Sequence, residues 1–274
     1  MKDRPLQQQT TIRVPDELLF LAPLIVEDLQ RFGVEGDGGY VLPASVLEQI
    51  DAMTSFGMFF DWSLEKHMHQ LRPNMPIHTY DHTIQWNRFV IRALGNIGKL
   101  VLGKTTPSRV RSAFSDALSY RQFFRENRHH YQERIHQNVQ LDNDADATKV
   151  FSRIPDAKHV FVKMDIEGSE YRVIPGLVDF ADRIDLMVIE FHDIDPFRRM
   201  FIEHMSALLQ PFEIVHLHAN NFSSQAADGF PDVIEVTLVN RRFVKSAGLR
   251  RSHLPLPDLD KPCDQGRSDY EMRF

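Results

Sequence analysis

The sequence predicts an α/β fold: a mostly parallel sheet with helices on both faces and a C-terminal antiparallel hairpin. Three observations carry this expectation. Short apolar runs alternate with stretches of helical periodicity along nearly the whole chain. The runs around 159–164 and 186–189 read as buried strands, and short apolar strands between helices imply a mostly parallel sheet covered on both faces. Polar residues follow several of the runs directly, and in open parallel sheets ligands bind beyond the carboxyl ends of the strands.

Taken in order, residues 16–30 read as a helix. The stretch RFGVEGDGGYVLP places a Gly-rich turn, Gly36 to Gly39, before a short strand over 40–42. A short helix follows over 44–50, then a strand over 53–56, Gly57, and a helix over 63–70. The next strand spans 77–80 and ends at Asp81. Apolar spacing predicts a helix over 88–102, weakened by Gly95 and Gly98, then helices over 110–125 and 128–138. A strand over 159–164 ends at Asp165. A helix over 170–177 is interrupted by Pro175. Then come a strand over 186–189 ending at Glu190, a helix over 195–210, and a strand over 212–217. The stretch 233–239 and the segment near Phe243 are expected to form the terminal hairpin.

The 274 residues include 42% hydrophobic and 26% charged residues, which excludes a collagenous or wholly disordered chain. No run approaches the length of a membrane span, and the N-terminus lacks the apolar segment of a secretory signal. A single cysteine, Cys263, allows no intramolecular disulfide and suits the cytoplasm. The net charge of −6 hides a basic segment. Between 85 and 140 ten Lys/Arg face three acids, so this stretch is +7 and the remainder −13. One domain with a basic helical insert at about 85–140 is the organisation expected.

The residues after the strands are the candidates for chemistry. Gly57 permits a sharp turn or a close approach to a ligand. Asp81 is placed to hold a ribose hydroxyl pair, or to serve as a turn aspartate. Asp165 and Glu167 flank Ile166 at the next strand end, where Asp165 or Ser169 could instead cap the following helix. Glu190 and His192 share one face of an extended segment, as do His216 and His218, which precede Asn220 and Asn221. If these ends converge, a His or Glu can serve as general base toward a substrate hydroxyl. Asp165, Glu190, His192 and His218 also make a divalent-metal set, the less favoured alternative, since no metal signature is present.

These residues carry a resemblance. KMDIEGSEYRVI, residues 163–174, resembles the hallmark segment of FkbM-type S-adenosylmethionine-dependent methyltransferases. RFGVEGDGGYVL (31–42), SFGMFFDWSLEKHM (55–68), TYDHT (79–83), VIEFHDI (188–194), HLHANNF (216–222), PDVIEVTLV (231–239) and the closing tail follow in the family's order. The resemblance implies a Rossmann-like methyltransferase fold and S-adenosylmethionine as cofactor. It also implies methyl transfer to a hydroxyl on a sugar, glycan or glycosylated natural product. Phe56, Gly57, Asp61, Glu65, Asp81, Asp165 and Glu167 would then border the cofactor, and Glu167, Asn220 and Asn221 the substrate. His192 or His218 would be the base, with Glu190 or Asp165 orienting it or the acceptor. One departure is the first loop, where Met58, Phe59 and Phe60 replace the usual further glycines. The alternatives are a protein side chain as acceptor and a non-catalytic binding protein. The partners expected are a glycan or small-molecule acceptor, suited by the insert to be anionic, and a membrane surface met peripherally through 85–140. Nucleic acid is not expected.

Overall fold

The computed structural model describes residues 10–244 and 248–274; residues 1–9, on which the reading of the N-terminus chiefly rests, lie outside them. In chain order the first elements are β1 (Thr10–Arg13), β2 (Leu29–Phe32), β3 (Tyr40–Pro43), α1 (Ala44–Leu47), β4 (Ala52–Phe56), α2 (Ser63–Leu71) and β5 (Ile77–Tyr80). Then come α3 (Trp86–Val101), α4 (Pro107–Phe123), β6 (Arg128–Tyr131), β7 (Arg134–Ile135), β8 (Asp144–Ala145), α5 (Ala147–Ser152), β9 (Val160–Met164) and α6 (Glu170–Val178). The last are β10 (Ile184–Phe191), α7 (Arg198–Leu208), β11 (Phe212–Ala219), β12 (Ile234–Asn240), β13 (His253–Leu254) and β14 (Tyr270–Arg273).

The central sheet has seven strands in the order β11-β12-β10-β9-β4-β5-β6. All run parallel except β12, which is antiparallel to both of its neighbours, β10 and β11. From β4 the chain builds outward through β5 and β6, then returns to the other side of β4 to lay down β9 and β10. The order therefore reverses between β4 and β9, and the crevice at their carboxyl ends is where such sheets bind ligands.

Side-chain alternation divides the core into two layers. Val160, Val162 and Met164 of β9 pack with α5, α6 and α7 on one face. Phe161 packs on the other face with β2, β3, α1 and α2. Lys163 shares the parity of Phe161 and thus emerges beside α2 rather than α6. Thr237 Oγ1 donates to the Val41 carbonyl at 2.9 Å and ties the β2–β3 hairpin to the sheet. The tail returns to the N-terminal side of the chain, where β14 pairs in parallel with β1 and antiparallel with β13.

Three expectations are corrected. Residues 16–30 do not form one helix: a six-residue 3-10 helix, Asp16–Leu21, ends before Pro23, and β2 begins at Leu29. Pro23 disfavours helical backbone at Ala22, whose ψ is 116°. Residues 128–138 form β6 and β7 instead of a third helix. His129, His130 and Tyr131 gain cross-strand partners on β5, with His78 and His129 rings 5.2 Å apart and Tyr80 and Tyr131 stacked at 5.0 Å. The helical part of the 85–140 segment is therefore α3 and α4, which pack on each other. The antiparallel partner of 234–240 is β11, before it in sequence, and the segment near Phe243 is a 3-10 turn. α3 runs through Gly95 and Gly98, and a side chain at either would meet nothing within 4 Å.

Gly57 follows β4 with φ +77°, and a Cβ there would lie 1.7 Å from the Asp165 carbonyl oxygen. Asp165 in turn donates its backbone N–H to the Phe56 carbonyl at 2.9 Å, so the two strand ends touch backbone to backbone. Gly57→Ala should destabilise the protein by about 3 kcal/mol or more, from left-handed strain and a backbone clash that flexible side chains cannot relieve. Denaturant unfolding checks this; a loss below about 1 kcal/mol would mean the two loops are not locked together.

Candidate active site

Three cavities meet at the reversal of strand order, and Asp165 and Glu167 line all of them. The first has about 730 Å³ of empty space and is framed by Gly57, Tyr80, Asp81, Ile135 and Ile166. The second, about 660 Å³, lies between Asp37, Glu190, His192, Asn220 and Phe222. The third, about 560 Å³, runs under the Gly-rich turn past Asp61, Glu65 and Lys163.

Burial decides the electrostatics here. Glu190, Glu65 and Asp37 all have raised pKa values, first because burial disfavours their charged form. Neighbouring carboxylates push Glu190 and Asp37 higher still: Asp165 and Glu235 in both cases. The buried Tyr40 phenol is likewise driven well above 10. Lys163 is the cation set among them. Burial alone would lower its pKa, but Asp165, Glu65 and Glu190 outweigh that and raise it. Its ammonium donates to the Gly57 carbonyl at 2.6 Å and to Asp165 Oδ2 at 3.3 Å. Carboxylates outnumber cations around these cavities, so the site suits a positively charged ligand.

His192 follows β10, with its carbonyl anchored by the Tyr171 hydroxyl at 2.8 Å. Its Nδ1 lies 3.1 Å from Glu170 Oε1. That same oxygen accepts the backbone N–H groups of Ile166 and Gly168 at 3.1 and 3.2 Å, so the carboxylate is fixed by the turn that carries it. Glu170 thus holds the Nδ1 proton and leaves Nε2 toward the second cavity, 3.6 Å from Glu167 Oε2 and 3.9 Å from Asp165 Oδ1. Burial would lower the imidazole pKa, but Glu170, Glu190 and Asp165 hold it up at about 9.

His218 is placed differently. Its Nδ1 is 3.3 Å from Glu235 Oε2 and its Nε2 2.9 Å from Asp269 Oδ2. Burial would lower its pKa, yet these carboxylates and the Cys263 thiol hold it far above 6.5. With both nitrogens engaged, His218 is no base. It clamps the C-terminal tail to the sheet, as His216 does through Asp260 at 3.1 Å. Asn221, expected at the substrate, also holds the tail: its amide donates to the Asp264 and Ser268 carbonyls and accepts from the Asp264 N–H. Of the four-residue metal set, Asp165, Glu190 and His192 bring ligand atoms within 4.8 Å of one another, whereas His218 belongs to a separate group with Glu235 and Cys263.

Other expected residues divide similarly. Asn220 lines the second cavity and donates to Glu190 Oε1 at 2.7 Å. Glu190 therefore holds Asn220, and the carboxylate that orients His192 is Glu170. Phe56 is fully buried, edge-on to Tyr80 at 5.8 Å, and lines none of these three cavities. Glu65 lines the third cavity and accepts from the Ser55 hydroxyl at 2.5 Å. Asp61 accepts from the Ser63 N–H at 2.8 Å at the start of α2. Asp81 lines the first cavity, but one oxygen accepts the Met58 and Phe59 N–H groups and the other the N–H and hydroxyl of Thr83. Four donors fill the acceptor capacity of one carboxylate. Asp81 therefore fixes the first loop, where Phe59 sits at φ +47°, and has no acceptor site left for ribose hydroxyls in this arrangement. Burial would raise its pKa, but these bonds overcome that and lower it.

Sequence reasoning passed over Lys163, Glu170 and Asp37. Lys163 carried a readable signal: a lysine inside an otherwise apolar strand must be partnered. Glu170 reads as an ordinary first-turn acid, and only the fold brings His192 to it.

Strand order and cleft together define the Rossmann-like methyltransferase class, with its reversal of strand order between β4 and β9. The family description "Methyltransferase FkbM domain" matches residues 70–222, just over half of the 274. The chain belongs to this family, and its cofactor is S-adenosylmethionine. The match starts after the first loop, so the resembling segments at 31–42, 55–68 and 231–239 lie outside it. No curated protein matches the chain. Solved structures similar to it include a precorrin-6y C5,15-methyltransferase from Geobacter metallireducens, 12% identical, with 72% of this chain and 87% of that one covered and a TM-score of 0.35. A second is a Methanococcus jannaschii fibrillarin, 11% identical, with 78% and 83% covered and a TM-score of 0.37.

The residues present fit this cofactor. A largely apolar cavity beside Gly57 offers room for a nucleoside, and the carboxylate excess next to it complements a cationic sulfur. Among the described residues no helix is long and apolar enough to cross a membrane.

Proposed function

We propose that this methyltransferase O-methylates a hydroxyl of a sugar, glycan or glycosylated small molecule, with His192 as general base and Glu170 as its positioning residue. The observation that carries this reading is the Glu170-backed imidazole, whose Nε2 opens onto a cavity that adjoins the cofactor cleft through Asp165 and Glu167. Gly57, Ile166, Glu65 and Asp61 would border the bound cofactor, and Asp81 would hold the loop against it. Bound there, S-adenosylmethionine supplies an activated methyl group on a positively charged sulfur.

The chain's own residues position the acceptor and remove its proton. Glu190 and Asn220 offer acceptors and donors to a polyhydroxylated ligand. The exposed Phe222 offers an apolar face at the same cavity, a pairing suited to a sugar ring. His192 Nε2 would take the hydroxyl proton, which ends on the imidazole, as the hydroxyl oxygen accepts the methyl group that the cofactor would supply with its sulfur as leaving group. With a cation bound beside it, the imidazole would hold its proton less tightly, and its pKa would fall from about 9 toward the working range. A cytoplasmic setting accords with the free, buried Cys263.

The test supplies S-adenosylmethionine with a labelled methyl group to a panel of free sugars, glycosides and peptides. Label in an ether on a sugar hydroxyl is the expected result. Label on a peptide side chain or a nitrogen, or no product with any acceptor, would overturn it.

A further inference from the structure

We propose that the α3–α4 hairpin docks on an anionic lipid bilayer, meeting it with an outward-facing apolar stripe on α3 and an exposed apolar pair flanked by cations on α4. Most amphipathic helices turn their apolar stripe to the core. α3 buries only Phe89 and Ala93. Its stripe of Val90, Leu94, Ile97 and Val101 recurs at i, i+4, i+7 and i+11 and faces solvent, from 38% exposed at Val90 to 81% at Val101. Arg88, Arg92 and Lys99 lie on the side of α3 opposite this stripe, where Arg92 packs on Phe60. α4 adds exposed Phe114 and Leu118, one turn apart, with Arg111 and Arg121 beside them. An exposed contiguous apolar surface of this kind marks an interaction site.

Charge selects the occupant. Residues 86–125 carry eight Lys/Arg and one acid, Asp116, a net of +7 in a chain of −6, so the rest carries −13. An anionic bilayer attracts this face and repels the others, which fixes the orientation of approach. A symmetric pair of chains joined through the hairpins would set +7 against +7. A nucleic acid would use the cations but leave the aliphatic stripe in water. Basic residues beside an exposed apolar face, as Arg111 and Arg121 are on α4, are the make-up of helices that lie in the bilayer interface.

The hairpin also adjoins the cleft. Phe60 of the first loop packs on Phe89 at 5.1 Å, under the Arg92 guanidinium at 4.6 Å. Phe59, beside it, is 69% exposed and lines the first cavity. The hairpin therefore carries the proposed docking face on one side and the first loop on the other. This docking does not depend on the acceptor proposed above.

Flotation of the full chain with phosphatidylglycerol-containing and pure phosphatidylcholine vesicles tests the proposal. Binding to the anionic vesicles that weakens as salt rises is expected, with little binding to the neutral ones. Leu94→Ser with Val101→Ser, both exposed, should lower vesicle affinity by about tenfold or more. Arg111→Gln with Arg121→Gln should do likewise and flatten the salt dependence. Unchanged thermal unfolding midpoints establish that the variants are folded. Three results would overturn the proposal: no vesicle binding, binding indifferent to both variant pairs, or a lipid-free dimer in light scattering that the serine variants dissolve. Salt-sensitive capture of single-stranded RNA without vesicle binding would overturn it as well.

Discussion

His192→Ala is expected to lower methyl transfer by about 10²- to 10⁴-fold while S-adenosylmethionine binding stays near that of the wild type. The residue sits behind the cleft, at the wall shared with the second cavity, and its Nε2 is the imidazole nitrogen there without a close partner. The pH dependence is equally specific. Without ligands the imidazole is held up at about 9, so near neutrality it carries its proton and cannot accept another. Turnover should therefore rise with pH, and with saturating cofactor its rising limb should fall below 9. Glu170→Gln removes the hydrogen-bonded carboxylate that raises this pKa. The variant should shift the rising limb to lower pH and reduce the plateau rate by about 10- to 100-fold, since the imidazole loses its orientation. A His192→Ala enzyme with full turnover would sink the assignment, and so would a limb unmoved by Glu170→Gln. His218→Asn supplies the contrast, because both nitrogens of His218 already serve carboxylates that fasten the tail. Its loss should appear in stability.

Lys163→Met should destabilise the protein by about 3–5 kcal/mol, measured by urea unfolding near pH 7.5. The ammonium is buried and faces Glu65, Asp165 and Glu190, so its removal leaves carboxylates in the interior without their counter-charge. The pH dependence has a definite sign. Burial already raises Glu65 and Glu190, and without Lys163 their values rise further, since its charge opposes the rise directly at Glu65. Protonation on acidification then relieves the variant more than the wild type. The stability gap should narrow as pH falls from 8 toward 5. A gap of constant size would mean that Lys163 acts through packing alone.

The expected strand ends proved readable because a parallel sheet delivers them to one edge by construction. Asp165, His192 and Asn220 lie one residue past a strand and Glu190 at the end of one, and the sheet gathers them at one cavity. The same rule misplaced His218 and Asn221. Their strand, β11, sits at the sheet's outer edge, and a register shift between Ile214 and His216 turns the histidines toward the tail. Nothing local in HLHANNF announces that residues 260–269 fold back over it and engage His216, His218 and Asn221. The basic segment shows the same limit, since spacing located two of its helices while β6 rests on aromatic pairing with β5.

By itself the sequence determined the sheet, the order of its strand-end chemistry and the family, because hydrophobic periodicity and short motifs are local properties. Tertiary structure decided which histidine is free, which carboxylate stands behind it, that Asp81 serves its own loop, and that the stripe of α3 faces outward. Each of these depends on what lies across a gap in space between residues far apart in the chain. Hydrogen-bond capacity and burial are settled only when that gap closes.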